Sequence, residues 1–543
     1  MSRGPKARKE KLSIYLAKNS KVDDVSLLKI ENTKPSILLE IEGFESSRLY
    51  IKKEPPEYSP PWTKLFTARS EVEEDAFGKS KSVGAVLVVS LADSKFILSF
   101  GTGFHLVSEE CIERDFGLRV TLNSVEPAKL RSLDKASYDH NPLNYRTQST
   151  KEVDIFDLHM NSEMEMLYAV TGASSVAQFG SHITGRDALT IITDSKLDAL
   201  PEILEEAYRR YKQKLPEDFE WVDNINKVRD NDEIEILDLE LENVLVGHDH
   251  SNLWLGEPEI VDWENHVGYS FDLYPKTDRH VVLHLDDLLS YLAGKTLSVT
   301  VDVLKSTHIH INNSEYQAIK SWSAYRCVYA EISYGGDKFI LRNATWYKVD
   351  PGFVNKIDLQ LRSISVYDYA LPIYSHDREE EYNSYLGSSD SSMCLLDKKN
   401  IKIGGAYDKL EFCDLVRSGR DLIHVKYYRS SSTLSHLFSQ GCVSAEAFIV
   451  DSEFRQKLNL KLPPSIKLSD PDSRPNPSDY QVVYAIATTK KLPDELPFFS
   501  KVTLKNALKV LRGLNFDVAI STIAVDPLLA CKKKIKPNKS KVL

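Results

Sequence analysis

KLEFCDLVRSGRDLIHVKYYRSSSTLSHLFSQG, residues 409–441, sets the expectation for the fold. Lys409–Val416 predicts a strand, Arg417–Asp421 a tight polar turn and Leu422–Tyr428 a second strand; a serine-rich cap then opens an amphipathic helix over Thr433–Ile449. Such a hairpin sets Asp414 and Lys426 on paired strands with a helix packed behind them. A carboxylate and a lysine brought together in this way can bind a divalent metal and steady a water beside a phosphodiester. The stretch therefore points to a nuclease centre.

Outward from the hairpin, Gly352–Ser363 and the carboxylate-rich His376–Leu386 predict helices. Downstream, a disorder-prone spacer (PPSIKLSDPDSRPNPSD) leads to a strand at Gln481–Thr488, a helix at Lys501–Arg512 and a strand at Phe516–Ile523. Counted from the acidic helix the order is α-β-β-α-β-α-β. That order, with Asp414 on one central strand and Lys426 on the next, resembles the restriction-endonuclease-like fold. The resemblance implies that Asp414 is the central carboxylate, Lys426 the lysine of the Glu/Asp-x-Lys signature, Gln440 the helix glutamine, and Glu380 or Glu381 the upstream acid, with Glu381 and Asp414 as metal ligands.

His424 departs from the pattern, standing where a Glu or Asp is expected. An imidazole is a softer, neutral ligand that suits Mg²⁺ poorly and Mn²⁺ or Zn²⁺ better. Its ordinary pKa also suits it to take a proton from water. Lys426 would orient the attacking water or offset charge on the phosphate. Arg429 with Ser431 and Ser432, at a helix amino terminus, forms a candidate anion site for a scissile phosphate or for a nucleotide. The plainer reading makes Glu411-x-x-Asp414 the decoration of an edge strand, Lys426 a solvated cation, and His436 with Gln440 an ordinary i, i+4 pair.

The composition bounds these readings. A chain of 543 residues exceeds what one core serves. The expected organisation is an α+β region over 1–125, a helical then sheet-rich middle over 126–350, and a restriction-endonuclease-like α/β domain over 351–543. With 42% hydrophobic and 27% charged residues the chain is an ordinary globular one, and its net charge of −10 argues against whole-surface nucleic-acid binding while leaving room for a basic cleft. Six cysteines without a CxxC pair fit a reducing compartment, and the cytoplasm is the expected location. No apolar run approaches membrane-spanning length.

Elsewhere, VGAVLVVSL and FILSFGTGFHLV predict a buried hairpin, and the GTG at Gly101–Gly103 is either a tight turn or a phosphate loop. Ser195–Lys214 predicts a surface helix. Asp230–His250, acidic with alternating Ile, Leu and Val, predicts a strand with one solvated face, and Thr296–Val303 predicts a further strand. His248 with His250 and His308 with His310 form HxH pairs that lack further local ligands. Trp346 and Tyr347 are either core residues or a base-stacking platform beside Lys348.

Glu113–Asp134, Thr184–Ile191, Tyr407–Gly441 and Leu496–Leu508 together resemble one sporadically distributed bacterial family of unknown function, found among mobile and phage-defence genes. The resemblance implies a defence context, with nucleic acid as the expected partner and a homo-oligomer or a defence-system protein as further ones. The lysine-rich ends, MSRGPKARKEK and CKKKIKPNKSKVL, are either phosphate-neutralising arms or plain solubilising tails.

Overall fold

In the computed structural model the structure describes residues 9–54, 57, 61–68, 71–73, 75–79, 81–137, 143–193, 196–247, 249–259, 261, 266–273, 279–313, 315, 317–402, 409–429 and 431–529. The chain divides into two compact units. One comprises the described residues of Met1–Ala136 and Asn144–Val222, the other those of Ser137–Leu143 and Asp223–Leu543.

The first unit is built on a ten-stranded sheet. Two of its inner strands, Gly84–Leu91 and Ser94–Gly101, form the expected hairpin, and both are apolar because both faces are covered. The GTG is a turn of close approach: Gly101 has φ +55°, and a Cβ on Gly103 would lie 2.1 Å from the Ala85 carbonyl oxygen. The interval after Glu126 was expected to be helical, yet it begins with three long strands, Val125–Ser137, Asn144–Val153 and Glu165–Ser174. Pairing of Val170–Ala173 with His182–Gly185 decides the matter, since a ladder satisfies backbone groups that local propensity leaves open. The predicted surface helix is present at Leu200–Lys212 and buries Ile203, Leu204, Ala207 and Tyr211 at three-to-four spacing.

In the second unit the acidic stretch corrects the strand expectation. Asn231–Val246 is a helix, because Asp230 caps it by accepting from Asp232 N at 2.9 Å and Leu237, Leu241 and Leu245 line one buried face. Likewise Val301–Ser306 is a helix capped by Thr300. A five-stranded antiparallel sheet contains the hairpin Val328–Tyr334 and Asp337–Arg342, turned at Gly335 and Gly336 with positive φ. Trp346 belongs to its core, with Nε1 donating to Asp238 at 2.8 Å.

The remaining layer is mixed α/β. Its elements are α1 (Pro351–Leu361), β1 (Ser365–Val366), α2 (Glu379–Ser389), β2 (Met393–Leu395), β3 (Leu415–Arg417), β4 (Asp421–Tyr427), α3 (Ser431–Val450), α4 (Ser452–Lys461), β5 (Gln481–Ala487), α5 (Phe498–Gly513) and β6 (Asp517–Ile523). The sheet order is β1-β6-β5-β4-β3-β2. β2, β3 and β4 form an antiparallel meander, and β4, β5, β6 and β1 run parallel. Ile423, Val425, Val483 and Ala485 pack on one face with Tyr382 and Leu386 of α2. On the other, Tyr484 donates to the Phe438 carbonyl of α3, and Gly441 lets that helix close in, since a Cβ there would meet the Tyr484 hydroxyl at 2.6 Å. The expected single strand over Lys409–Val416 is two short ones, Lys409–Leu410 and β3, broken where Asp414 turns its backbone to β2. The spacer read as disorder-prone is ordered: buried Arg455 donates to the carbonyls of Pro471 and Asp472 as well as to Phe448 and Ile449.

Candidate metal centre

Because β3 runs against β4 and β2 against β3, the end of β2, the start of β3 and the carboxyl end of β4 coincide. Asp414 is the knot at that corner. Its N–H donates to Ile423 O at 3.0 Å, its carbonyl accepts from Leu396 N at 2.8 Å and Asp397 N at 2.9 Å, and its Oδ2 accepts from Val425 N at 2.7 Å. The two bonds to its carbonyl bring Asp397 alongside. Glu411 enters from just before β3; its carboxylate accepts from the Lys398 N–H and, at 3.2 Å, from Gln440 Nε2 of α3. One oxygen each of Asp397, Glu411 and Asp414 lie within 4.8 Å of one another, the one group of three or more His, Cys, Asp or Glu side chains at metal-ligating spacing among the described residues.

No lysine or arginine forms an ion pair with these three carboxylates among the described residues. Burial, with the charges of Glu411, Asp397 and Glu379 added, pushes the Asp414 carboxyl up to about 8, against the lowering effect of the Val425 N–H. Burial also raises Glu411, opposed by the Lys398 N–H. Ionising all three carboxylates this close together is costly, and a bound cation would remove that cost. All the donors are hard oxygens, each carboxylate is oriented by an N–H from behind, and that combination suits Mg²⁺ or Mn²⁺.

Of the residues marked in the sequence, Asp414 and Gln440 meet in this cluster. Lys426 Nζ donates to Glu379 Oε2 at 2.8 Å, and the other Glu379 oxygen takes Tyr427 N at 3.2 Å. Among the three consecutive glutamates of α2 it is thus Glu379 that reaches the corner. Glu380 pairs with Lys398 at 2.5 Å. Glu381 closes the first helical turn by accepting from Arg378 N at 3.3 Å and is not in the triad. His424 is fully buried on β4, its ring 6.1 Å from that of Tyr484 and neither nitrogen hydrogen-bonded; burial lowers its pKa to about 4, so the imidazole is neutral at neutral pH. Arg429 is exposed, its guanidinium 5.9 Å over the Tyr427 ring. Ser431 and Ser432 open α3, but their side chains, and Ser430, lie outside the described residues, as do His248, residues 1–8 of the first lysine-rich end and all of the second. His310 Nδ1 lies 2.7 Å from Ser321 Oγ, with its ring stacked on His308.

Three residues at the corner carry no mark in the sequence reading: Asp397, Glu379 and Asn383. Asn383 of α2 donates Nδ2 to Asp397 Oδ2 at 3.3 Å. Asp397 could have been sought as the first acid after the apolar run MCLL, which ends a strand.

A family described as a family of unknown function (DUF6119) matches residues 12–524 of the chain. Neither a curated protein nor a solved structure matches it.

Proposed function

The chain belongs to this family of unknown function (DUF6119), so its activity has to be sought in its own residues, and we propose that it is a divalent-metal-dependent nuclease-like protein that hydrolyses phosphodiesters in DNA or RNA. The observation that carries the reading is the convergence of Asp397, Glu411 and Asp414 at the carboxyl end of β4, one strand position from the Lys426–Glu379 pair. The observed order α2-β2-β3-β4-α3-α4-β5-α5-β6 contains the helix, hairpin, helix and parallel strands of the expected α-β-β-α-β-α-β and adds the strand β2 and the helix α4 to it. Ligand sites of open sheets with parallel strands lie at such carboxyl ends.

Mg²⁺ or Mn²⁺ at the triad would supply a Lewis acid for a phosphoryl oxygen and a more acidic water. The chain's own groups do the rest. Val425 N–H and Gln440 hold Asp414 and Glu411 in place. Lys426, freed from Glu379 by an incoming phosphate, orients the water or offsets phosphate charge. Exposed Arg429 adds a contact to the nucleic-acid backbone. A setting in bacterial phage defence, in the cytoplasm, belongs to the same proposal.

The test is cleavage of labelled single- and double-stranded DNA and RNA by the full chain with Mg²⁺, Mn²⁺ or EDTA. Cleavage with metal that falls at least about 100-fold in Asp414→Asn and Lys426→Ala supports the reading. A wild-type protein inert with both metals, or variants as active as wild type, sinks it. A second reading, in which the same fold only binds nucleic acid or a partner, is favoured by His424, which puts a buried neutral ring where an acid is expected. It predicts nucleic-acid binding that ignores the metal and no cleavage.

A further inference from the structure

Away from the metal centre, the ten-stranded sheet carries a second, smaller core on one face, where Leu27, Leu28, Tyr50, Val88 and Ile97 pack together. Strand Ile37–Leu38 is an edge of that sheet; it pairs with Ser46–Ile51, which pairs in turn with Gly84–Leu91. The register sets Leu38, Arg48 and Val88 in one row, so a single face runs from buried Val88 out to exposed Leu38. A groove of about 730 Å³ lies along this row. One wall is fixed from below: Tyr50 donates to Asp24 Oδ2 at 2.7 Å, and Lys95 donates to Asp24 Oδ1 at 3.2 Å.

The cations of the groove are answered unequally. Lys34 pairs with Glu54 at 2.9 Å, a carboxylate that Lys81 shares. Arg48 donates to Ser36 Oγ at 3.1 Å and Lys53 to the Glu31 carbonyl at 2.7 Å, and neither pairs with a carboxylate among the described residues. Two cations that meet only neutral acceptors can take an anion, and a guanidinium grips phosphate through parallel N–H bonds. Val25 and Leu38, 63% and 64% exposed, give the same groove an apolar wall. Asp23, beside them, offers a carboxylate to an N–H donor. The volume is that of a small-molecule site and far exceeds what a bare phosphate fills. A fatty acid lacks the N–H donor and a sugar phosphate lacks the apolar body. A nucleoside phosphate has the anion, the flat apolar base and the N–H groups together.

We propose that this groove binds a nucleoside phosphate, its phosphoryl group held by Arg48 and Lys53 and its base laid on Val25 and Leu38. The site lies wholly in the first unit and stands independently of the metal centre.

The experiment is equilibrium dialysis of the full chain, without metal, against ribonucleoside mono- and triphosphates, the matching nucleosides and inorganic phosphate. Wild type, Arg48→Gln, Lys53→Gln and Lys34→Gln are compared, and the melting of each is measured alongside. Expected is saturable binding of at least one nucleotide, one per chain, weakened at least about tenfold in Arg48→Gln and in Lys53→Gln. Lys34→Gln, whose cation already has its acid, should change affinity by less than about threefold. Nucleoside and inorganic phosphate should each bind at least about tenfold more weakly than the nucleotide. All three substituted side chains are exposed, so melting should be unchanged. Absence of saturable nucleotide binding overturns the proposal, as do Arg48→Gln and Lys53→Gln that bind like wild type. A loss in Lys34→Gln equal to theirs marks diffuse surface charge, and inorganic phosphate that binds as tightly as the nucleotide marks an unspecific anion site; either result also overturns it.

Discussion

Two aspartates, buried Asp134 in one unit and half-buried Asp414 in the other, show how differently two carboxylates are answered. In the ten-stranded sheet, Asp134 is 7% exposed and fully answered: Arg146 grips it through Nε at 2.8 Å and Nη2 at 2.7 Å, and Arg186 adds a third bond. Its neighbour Lys135 is likewise paired, with Glu165 at 2.8 Å. At the corner of the six-stranded sheet, Asp414 has a backbone N–H for company and two further carboxylates within ligand spacing. The first arrangement lowers the energy of the folded chain as it stands. The second raises it wherever Asp414 ionises, and that perturbation is what makes Asp414 a candidate for binding a cation.

The comparison predicts opposite signs. Asp414→Asn should abolish Mn²⁺ affinity and cleavage, by at least about 100-fold, while raising metal-free stability at pH 8 and above, where the wild-type carboxylate is forced to ionise. Asp134→Asn should leave Mn²⁺ binding alone and cost about 1–2 kcal/mol, the value of a charge-assisted bond reduced by the exposure of the arginines. Urea unfolding beside a metal titration measures both. If the two variants move stability in the same direction, the contrast fails.

A pH series sharpens the point. Unfolded Asp414 loses its proton near the ordinary carboxylate value, whereas the folded group keeps it to about 8. Between those values the folded state binds the extra proton, so its metal-free stability falls as pH rises and levels off above about 8. The slope contributed is at most ~1.4 kcal/mol per pH unit, and Asp414→Asn should remove it.

Gln440→Ala removes the donor that holds Glu411 and should weaken Mn²⁺ binding about tenfold with little effect on folding. The smallest change is expected from His424→Leu, within about 1 kcal/mol at pH 7, because neither ring nitrogen has a partner to lose. At lower pH the variant should gain on wild type. Unfolded histidine protonates near its ordinary value and the folded ring only at about 4, so wild-type stability drops as pH falls through that window. Loss of cleavage in this variant at full stability would instead make the ring a participant.

The parts of the fold legible in the sequence are those where one local signal dominates. The turn, second strand and helix of 409–441, the apolar pair around Gly84–Gly101 and the helix Leu200–Lys212 carry clear periodicity. Asn231–Val246 misleads because its Ile, Leu and Val satisfy a period of two and a period of four at once; only the Asp230 cap tips the balance. At the site, Asp414, Lys426 and Gln440 were marked by their order along the hairpin and helix. Asp397 and Asn383 were not, because β2 pairing with β3 brings Asp397 to Asp414 through space and no spacing records it. Which of three adjacent glutamates meets Lys426 is likewise a matter of helical phase, set by the burial of Tyr382 and Leu386.

The most direct test of the central claim is a crystal of the full chain grown or soaked with Mn²⁺ and examined for anomalous scattering. One peak is expected, at about 2–2.5 Å from oxygens of Asp397, Glu411 and Asp414. A map without a peak at that corner, while the protein is intact and Mn²⁺ is in excess, would contradict it.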